Sequence, residues 1–184
     1  PEARGYVPGH EPAGIVTEVG GSVKDLAVGD SVVVNAIIGC GRCKFCQRGM
    51  DSFCKNRYPT MGFGVDGGFA EYLKVPHYRA IFRFPSRSLT YDEASLLPDC
   101  LGTPGRAIRR ARVHDGDIVA IYGAGPLGLS AAQLSKAFGA RTVMVVDRIA
   151  SRLEMAKELG ADVVIDASRE DLSLIHISEP TRPY

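Results

Sequence analysis

The chain has 184 residues, 45% of them hydrophobic and 23% charged, with 22 basic and 21 acidic side chains and a formal net charge of +1. That composition belongs to a globular chain with a packed core and excludes the disordered and fibrous classes. No apolar run approaches the roughly 18 residues that a membrane helix needs. The basic residues are scattered, with one small cluster at Arg109, Arg110 and Arg112, so neither a membrane nor a nucleic acid is an expected partner. Four of the five cysteines fall between positions 40 and 54, which points away from a disulfide framework and toward a metal site in a reducing, cytoplasmic compartment. Residue 1 is Pro rather than Met, and the natural start is expected to lie upstream.

The first half reads as short strands divided by turn residues. Alternation predicts a strand over 14–19, the Gly20–Gly21 pair a turn, and the β-branched run Ser31, Val32, Val33, Val34, Asn35 a second strand. Further strands are predicted over 67–75 and 80–84. Thr90 followed three residues later by Glu93 has capping-box spacing and opens a helix; a second helix is expected over 103–113. From Gly116 onward strand and helix alternate: strands over 117–122, 141–146 and 163–165, with helices over 126–138 and 149–159 stopped by Gly139 and Gly160. Such alternation implies a parallel sheet with right-handed crossovers, and a domain boundary between residues 90 and 116. Residues 172–184 break this pattern. They resemble the translation of a transposase adapter used in sequencing libraries and are read as a non-native tail, so His176 is set aside as a ligand.

Two residues separate Cys40 from Cys43 and Cys43 from Cys46, and seven separate Cys46 from Cys54. Thiolates so spaced on tight turns converge on one tetrahedral ion, and Gly39, Gly41 and Gly49 permit such turns. Four soft ligands close the coordination sphere, which marks a structural zinc, since a catalytic zinc keeps one position open. An iron–sulfur run would close on a three-residue spacing and a Cys-Pro; here the last spacing is seven and Lys55 follows.

Gly123, Gly125 and Gly128 form a GxGxxG pattern that follows a predicted strand and opens a predicted helix, with Pro126 and Leu127 between the last two. In that context the first glycine allows the turn, the second lets a pyrophosphate approach the backbone, and the third lets helix pack on strand, while the helix N-terminus offers free N–H groups. Asp147 ends the next predicted strand, where a carboxylate accepts both ribose hydroxyls and repels a 2′-phosphate, so NAD is expected over NADP. Arg148 beside it favours the phosphate and works against that preference.

Taken in order, Gly9-His10-Glu11, the four-cysteine lobe, Gly67-Gly-Phe-Ala-Glu-Tyr72 and the dinucleotide loop resemble the zinc-dependent medium-chain alcohol dehydrogenases. The resemblance runs from residue 9 to about residue 167. It implies α/β plus mainly β architecture: a GroES-like N-terminal domain over 1–112 with the zinc lobe at 39–55, then the first half of a Rossmann domain over 113–171, with the active site between them. It also implies a second, catalytic zinc. His10 matches the family's imidazole ligand, Glu11 the supporting carboxylate, and the place four residues before Thr103 is Asp99, with Cys100 the alternative. The implied reaction is hydride transfer from a zinc-bound alcohol or polyol to NAD, or in reverse to an aldehyde or ketone, by a homodimer or homotetramer. A glutathione-independent formaldehyde dehydrogenase is the nearest alternative, and a zinc-binding module with a vestigial nucleotide loop a more distant one. The family's first catalytic cysteine lies further upstream of His10 than the nine residues present, and the later Rossmann strands are missing, so no turnover is expected from these 184 residues alone.

Overall fold

A computed structural model of the chain describes residues 5–85 and 87–170; the adapter-like segment 172–184 lies outside them. The chain divides into two compact units, Pro1–Asp99 and Cys100–Tyr184.

In the first unit, β1 (Ala13–Ile15), β2 (Ser31–Val34) and β3 (Ile81–Arg83) form an antiparallel sheet with β2 in the centre. Val32, Val33 and Val34 are all buried, because a central strand covered on both faces favours a continuous β-branched run over alternation. Successive side chains leave a strand on opposite faces, so β2 seeds two small cores. Val33 packs with Phe84 and Ala94, and Val34 with Ile38, Met61 and Ala80.

Two strand expectations need correction. The strand over 14–19 forms only at Ala13–Ile15; Val16 extends the pairing by exchanging hydrogen bonds with Gly29 and Asp30, and no strand continues beyond it. Residues 67–75 form no strand at all. The three consecutive amides of Gly67, Gly68 and Phe69 donate to the carbonyls of Val7, Gly9 and Pro8 at 2.7, 2.9 and 3.0 Å, whereas a ladder would use alternate residues. The glycine pair serves a close approach of two segments: a Cβ on Gly67 would overlap the Gly9 carbonyl oxygen, and one on Gly68 would lie 2.8 Å from Pro12 Cβ. Phe69 and Tyr72, which alternation had placed on a strand, are 78% and 75% exposed.

Thr90 caps α1 (Tyr91–Ser95) as expected, accepting from Glu93 N at 3.2 Å while Glu93 Oε2 accepts from Thr90 N at 2.8 Å. The helix lasts five residues and is followed by a π-helical turn, Leu97–Leu101, before α2 (Gly102–Ala111). Pro98 has no N–H to give to an α-helical ladder, and a locally widened turn accommodates that loss. The widened turn carries Asp99 and Cys100.

In the second unit β4 (Ile118–Tyr122), α3 (Pro126–Ala137), β5 (Thr142–Asp147), α4 (Ala150–Glu158) and β6 (Val163–Asp166) follow the predicted order, and the strands pair in parallel as β4-β5-β6. Val143 and Val145 of the central strand are buried against Ala132 of α3 and Ala156 of α4, small residues that let both helices approach the sheet closely; Val146, on the opposite face, is buried as well. Lys136, at the end of α3, and Val143 N both meet the Asp162 carboxylate, at 2.5 and 2.6 Å, which ties α3, β5 and the turn before β6 together.

The Lys136 hydrogen bond, with Val143 N–H after it, holds the Asp162 carboxyl below its ordinary range; Asp147, Asp166 and Glu93 share that direction through N–H and O–H donors. A carboxylate whose folded pKa is depressed gives its full stabilisation above the unfolded value and loses it as pH falls through the folded one. The thermal midpoint is therefore expected to stay level above about pH 5 and to drop below about pH 4. Asp162→Asn should lower it at pH 7 and flatten the acid limb, as followed by circular dichroism; an acid limb of unchanged steepness would contradict this.

Candidate metal centre and dinucleotide loop

The cysteine lobe is built from turns rather than regular elements. Gly41, at φ +74°, bends the chain between Cys40 and Cys43; a 3-10 turn Cys46–Arg48 ends on left-handed Gly49; a second, Asp51–Phe53, delivers Cys54, whose N–H returns to Asp51 O at 3.0 Å. The result gathers the Sγ atoms of Cys40, Cys43, Cys46 and Cys54 within 4.8 Å of one another. Cys43 Sγ lies 3.5 Å from Cys46 Sγ, and Cys40 N donates to Cys54 Sγ at 3.4 Å. None of the four is in a disulfide, and Cys46 and Cys54 are buried. A tetrahedral ion with ligands at about 2.3 Å requires sulfurs about 3.8 Å apart, so donor chemistry and spacing both fit zinc.

The electrostatics divide the thiols: backbone N–H groups favour the thiolate at two of them and burial opposes it at a third. Backbone N–H groups of Arg42 and Cys43 bring the Cys40 thiol down to about 6, and Cys46 N–H lowers Cys43. Burial pushes Cys46 up to about 12. A buried thiol of that kind gives up its proton only when a cation takes its place.

His10 follows left-handed Gly9 (φ +97°) and sets its Nε2 3.3 Å from Asp99 Oδ2, with its ring 4.8 Å from that of Phe63. His10 and Asp99 are both partly exposed. Eighty-nine positions apart in sequence, the two are brought together by the widened turn after α1. Glu11 adjoins His10 and Cys100 adjoins Asp99 in the chain. Among the described residues, the four cysteines are the one group of three or more His, Cys, Asp or Glu side chains that gathers ligand atoms this closely; His10 and Asp99 form a pair.

In the second unit Gly123, at φ +98°, turns the chain from β4, and Gly125 precedes Pro126 at the first position of α3. Space above Gly123 and Gly125 is open, whereas a Cβ on Gly128 would overlap the Gly123 carbonyl oxygen and touch Ile121 Cγ2 at 3.6 Å. Leu127 is exposed. The Asp147 carboxylate accepts from Ala124 N at 2.6 Å through Oδ2, and from Arg148 N at 2.7 Å and Ile149 N at 2.9 Å through Oδ1. Those donors, Ala124 N–H foremost, hold its pKa below the usual aspartate range. Sequence reasoning assigned this side chain to a ligand alone and missed that it also braces the glycine loop; an aspartate at a strand end, followed by a helix, was the available signal. It also missed Arg79 and Asp51, which meet at the cysteine lobe.

Gly128→Ala is expected to cost about 1–3 kcal/mol, because the overlap is with backbone that cannot yield, while Gly125→Ala should stay within about 0.5 kcal/mol of the parent. Urea unfolding measures both; equal losses would contradict the packing described.

Residues 1–86 match the alcohol dehydrogenase GroES-like domain model and residues 126–179 the zinc-binding dehydrogenase model, the latter running past residue 172. Sorbitol dehydrogenase of Bacillus subtilis is 39% identical over 90% of this chain and 46% of its own. An NAD-dependent alcohol dehydrogenase of Sulfurisphaera tokodaii is 40% identical over 89% of this chain and 46% of its own. Among solved structures, alcohol dehydrogenase TADH from Thermus sp. ATN1 superposes with a TM-score of 0.88 at 35% identity, over 95% of this chain and 51% of that one. The chain thus spans about half the length of the curated relatives it matches. With a GroES-like match on the antiparallel unit, a dehydrogenase match on the parallel one and relatives of 39–40% identity across nearly all of it, the chain is similar in both units to the zinc-dependent medium-chain alcohol dehydrogenases.

Proposed function

We propose that this chain contributes a structural zinc lobe, part of a catalytic metal site and the dinucleotide loop to an NAD-linked dehydrogenase of secondary alcohols or polyols. The observation that carries the proposal is the glycine loop, whose backbone is open above Gly123 and Gly125 at the N-terminus of α3 and closed beneath Gly128. Unsatisfied N–H groups at the start of α3 attract the pyrophosphate of a dinucleotide. Asp147 already spends one lone pair of Oδ2 and two contacts of Oδ1 on backbone donors; a carboxylate has about four acceptor sites, which leaves room for a ribose hydroxyl. Its charge opposes a 2′-phosphate there, and Arg148 moderates the preference.

Cys40, Cys43, Cys46 and Cys54 would hold the structural zinc, and His10, Asp99 and Glu11 would contribute to the catalytic one. Zinc at the latter site supplies Lewis-acid chemistry that lowers the pKa of an alcohol, and NAD supplies the hydride acceptor. The chain's own part is to place the donors: His10 Nε2 and Asp99 Oδ2 lie 3.3 Å apart, a separation that two ligands of one ion can share, and Phe63 packs on the His10 ring. The relatives named for sorbitol and for NAD-dependent alcohol oxidation support this substrate class. No helix of the described residues is long and apolar enough to cross a membrane. Free thiols suit a reducing compartment, and we place the enzyme in the cytoplasm as a dimer or tetramer acting on a small molecule.

Calorimetric titration of the 184-residue chain should show NAD binding more tightly than NADP. Gly125→Val should weaken NAD by at least about tenfold, a loss of about 1.4 kcal/mol, and Asp147→Ala should narrow the gap between the two nucleotides. NAD affinity unchanged in Gly125→Val would sink the proposal.

A further inference from the structure

Arg79 is remote from the cysteines in sequence, on the 3-10 turn Tyr78–Ala80 that leads into β3. In space it rests on the lobe. A Cβ on Gly41, between Cys40 and Cys43, would lie 3.0 Å from Arg79 Cδ and 3.6 Å from Nε. The far end of the guanidinium reaches the second pair of turns, where Nη2 donates to Cys46 O at 2.9 Å and meets Asp51 Oδ2 at 3.5 Å. One planar cation therefore spans the turns that bear the sulfurs. The base of that span is fixed locally, since His77 Nδ1 accepts from Arg79 N at 3.2 Å.

Asp51 explains why a cation is needed. Its carboxylate lies over Gly39 on the side where Cys46 Sγ also lies, and both would collide with a Cβ there. Zinc on four thiolates leaves two uncompensated negative charges, and Asp51 brings a third beside them. Arg79 Nε, in turn, is buried with no hydrogen-bond partner. A buried donor on a cation is costly unless negative charge lies close by, and the thiolate turns under this guanidinium supply it.

We propose that Arg79 is the positioning residue of the four-thiolate site: it clamps the turns carrying Cys40, Cys43, Cys46 and Cys54 together and offsets the charge of Asp51, and so retains the zinc. This rests on zinc occupying the site, as proposed above. Outer-shell partners of metal ligands change affinity by about 10- to 100-fold when removed, and a gap of that size separates a clamp from a bystander.

The test uses the full 184-residue chain, with zinc content by elemental analysis and zinc affinity by competition against a chromogenic chelator. The unsubstituted chain is expected to hold one zinc; a chain that holds none refutes the underlying zinc assignment, not the role of Arg79. Given that zinc, Arg79→Gln should weaken affinity by about 10- to 100-fold, Arg79→Lys should fall between it and the parent, and Asp51→Asn added to Arg79→Gln should restore part of the loss. A residue that merely packs would show no such restoration. Circular dichroism in saturating zinc checks folding, and if Arg79→Gln does not fold, Arg79→Lys with and without Asp51→Asn carries the same comparison. Affinity in the Arg79 variants equal to that of the parent, or a loss that Asp51→Asn leaves untouched, overturns the proposal.

Discussion

Four sulfurs drawn to within 4.8 Å of one another cannot all be anions unless a cation sits among them. Two unit charges about 4 Å apart repel by about 4 kcal/mol even at an effective dielectric of 20, and four thiolates make several such pairs. Set against the roughly 5–15 kcal/mol that stabilises a whole domain, that repulsion would keep the turns apart. A structural zinc returns about 10–16 kcal/mol in comparable small sites at neutral pH, which reverses the balance. The lobe lacks the alternative means of holding itself together, because its turns are two 3-10 segments of three residues and its apolar burial is small. Metal binding and folding of residues 39–55 are therefore one event, and Arg79 and Asp51 act on that event rather than on packing.

The parallel unit is held by different forces. Its core is the face of a buried β-branched strand that carries Val143 and Val145, covered by two helices that approach through alanines, and its loops are tied by carboxylates to backbone N–H groups. Asp162 joins α3 to β5, and Asp147 joins the glycine loop to the start of α4. The second tie has a functional consequence. The carboxylate expected to read the ribose is also the brace that sets the loop for the pyrophosphate, so that ribose and the pyrophosphate would be recognised by one connected element. At the edge of this sheet β4 leaves Ile118 and Tyr122 more than half exposed, the kind of apolar edge that pairs with further chain when it is offered.

What could be read in advance was whatever a short window of sequence determines. The cysteine spacing, the Thr90 capping box, the valine run of β2 and the glycine loop are each local, and each recurs in the structure. The failure at 67–75 has a physical cause: Gly67 to Val75 alternates like a strand, but two adjacent glycines at its head are spent on contact with Gly9 and Pro12, and three successive amides turn to one segment. Period alone does not distinguish a pleated strand from a glycine-led close approach. The pairings of His10 with Asp99 and of Arg79 with Asp51 and Cys46 O join residues far apart in sequence, and no local pattern encodes them. The first was reachable through the family resemblance; the second was visible only once the turns had been placed.

X-ray absorption at the zinc edge on the purified chain addresses the thiolate centre most directly. Four sulfur neighbours at about 2.3 Å are expected, with no nitrogen or oxygen in the first shell. A mixed shell, or a chain that folds the lobe with no zinc at all, would contradict it.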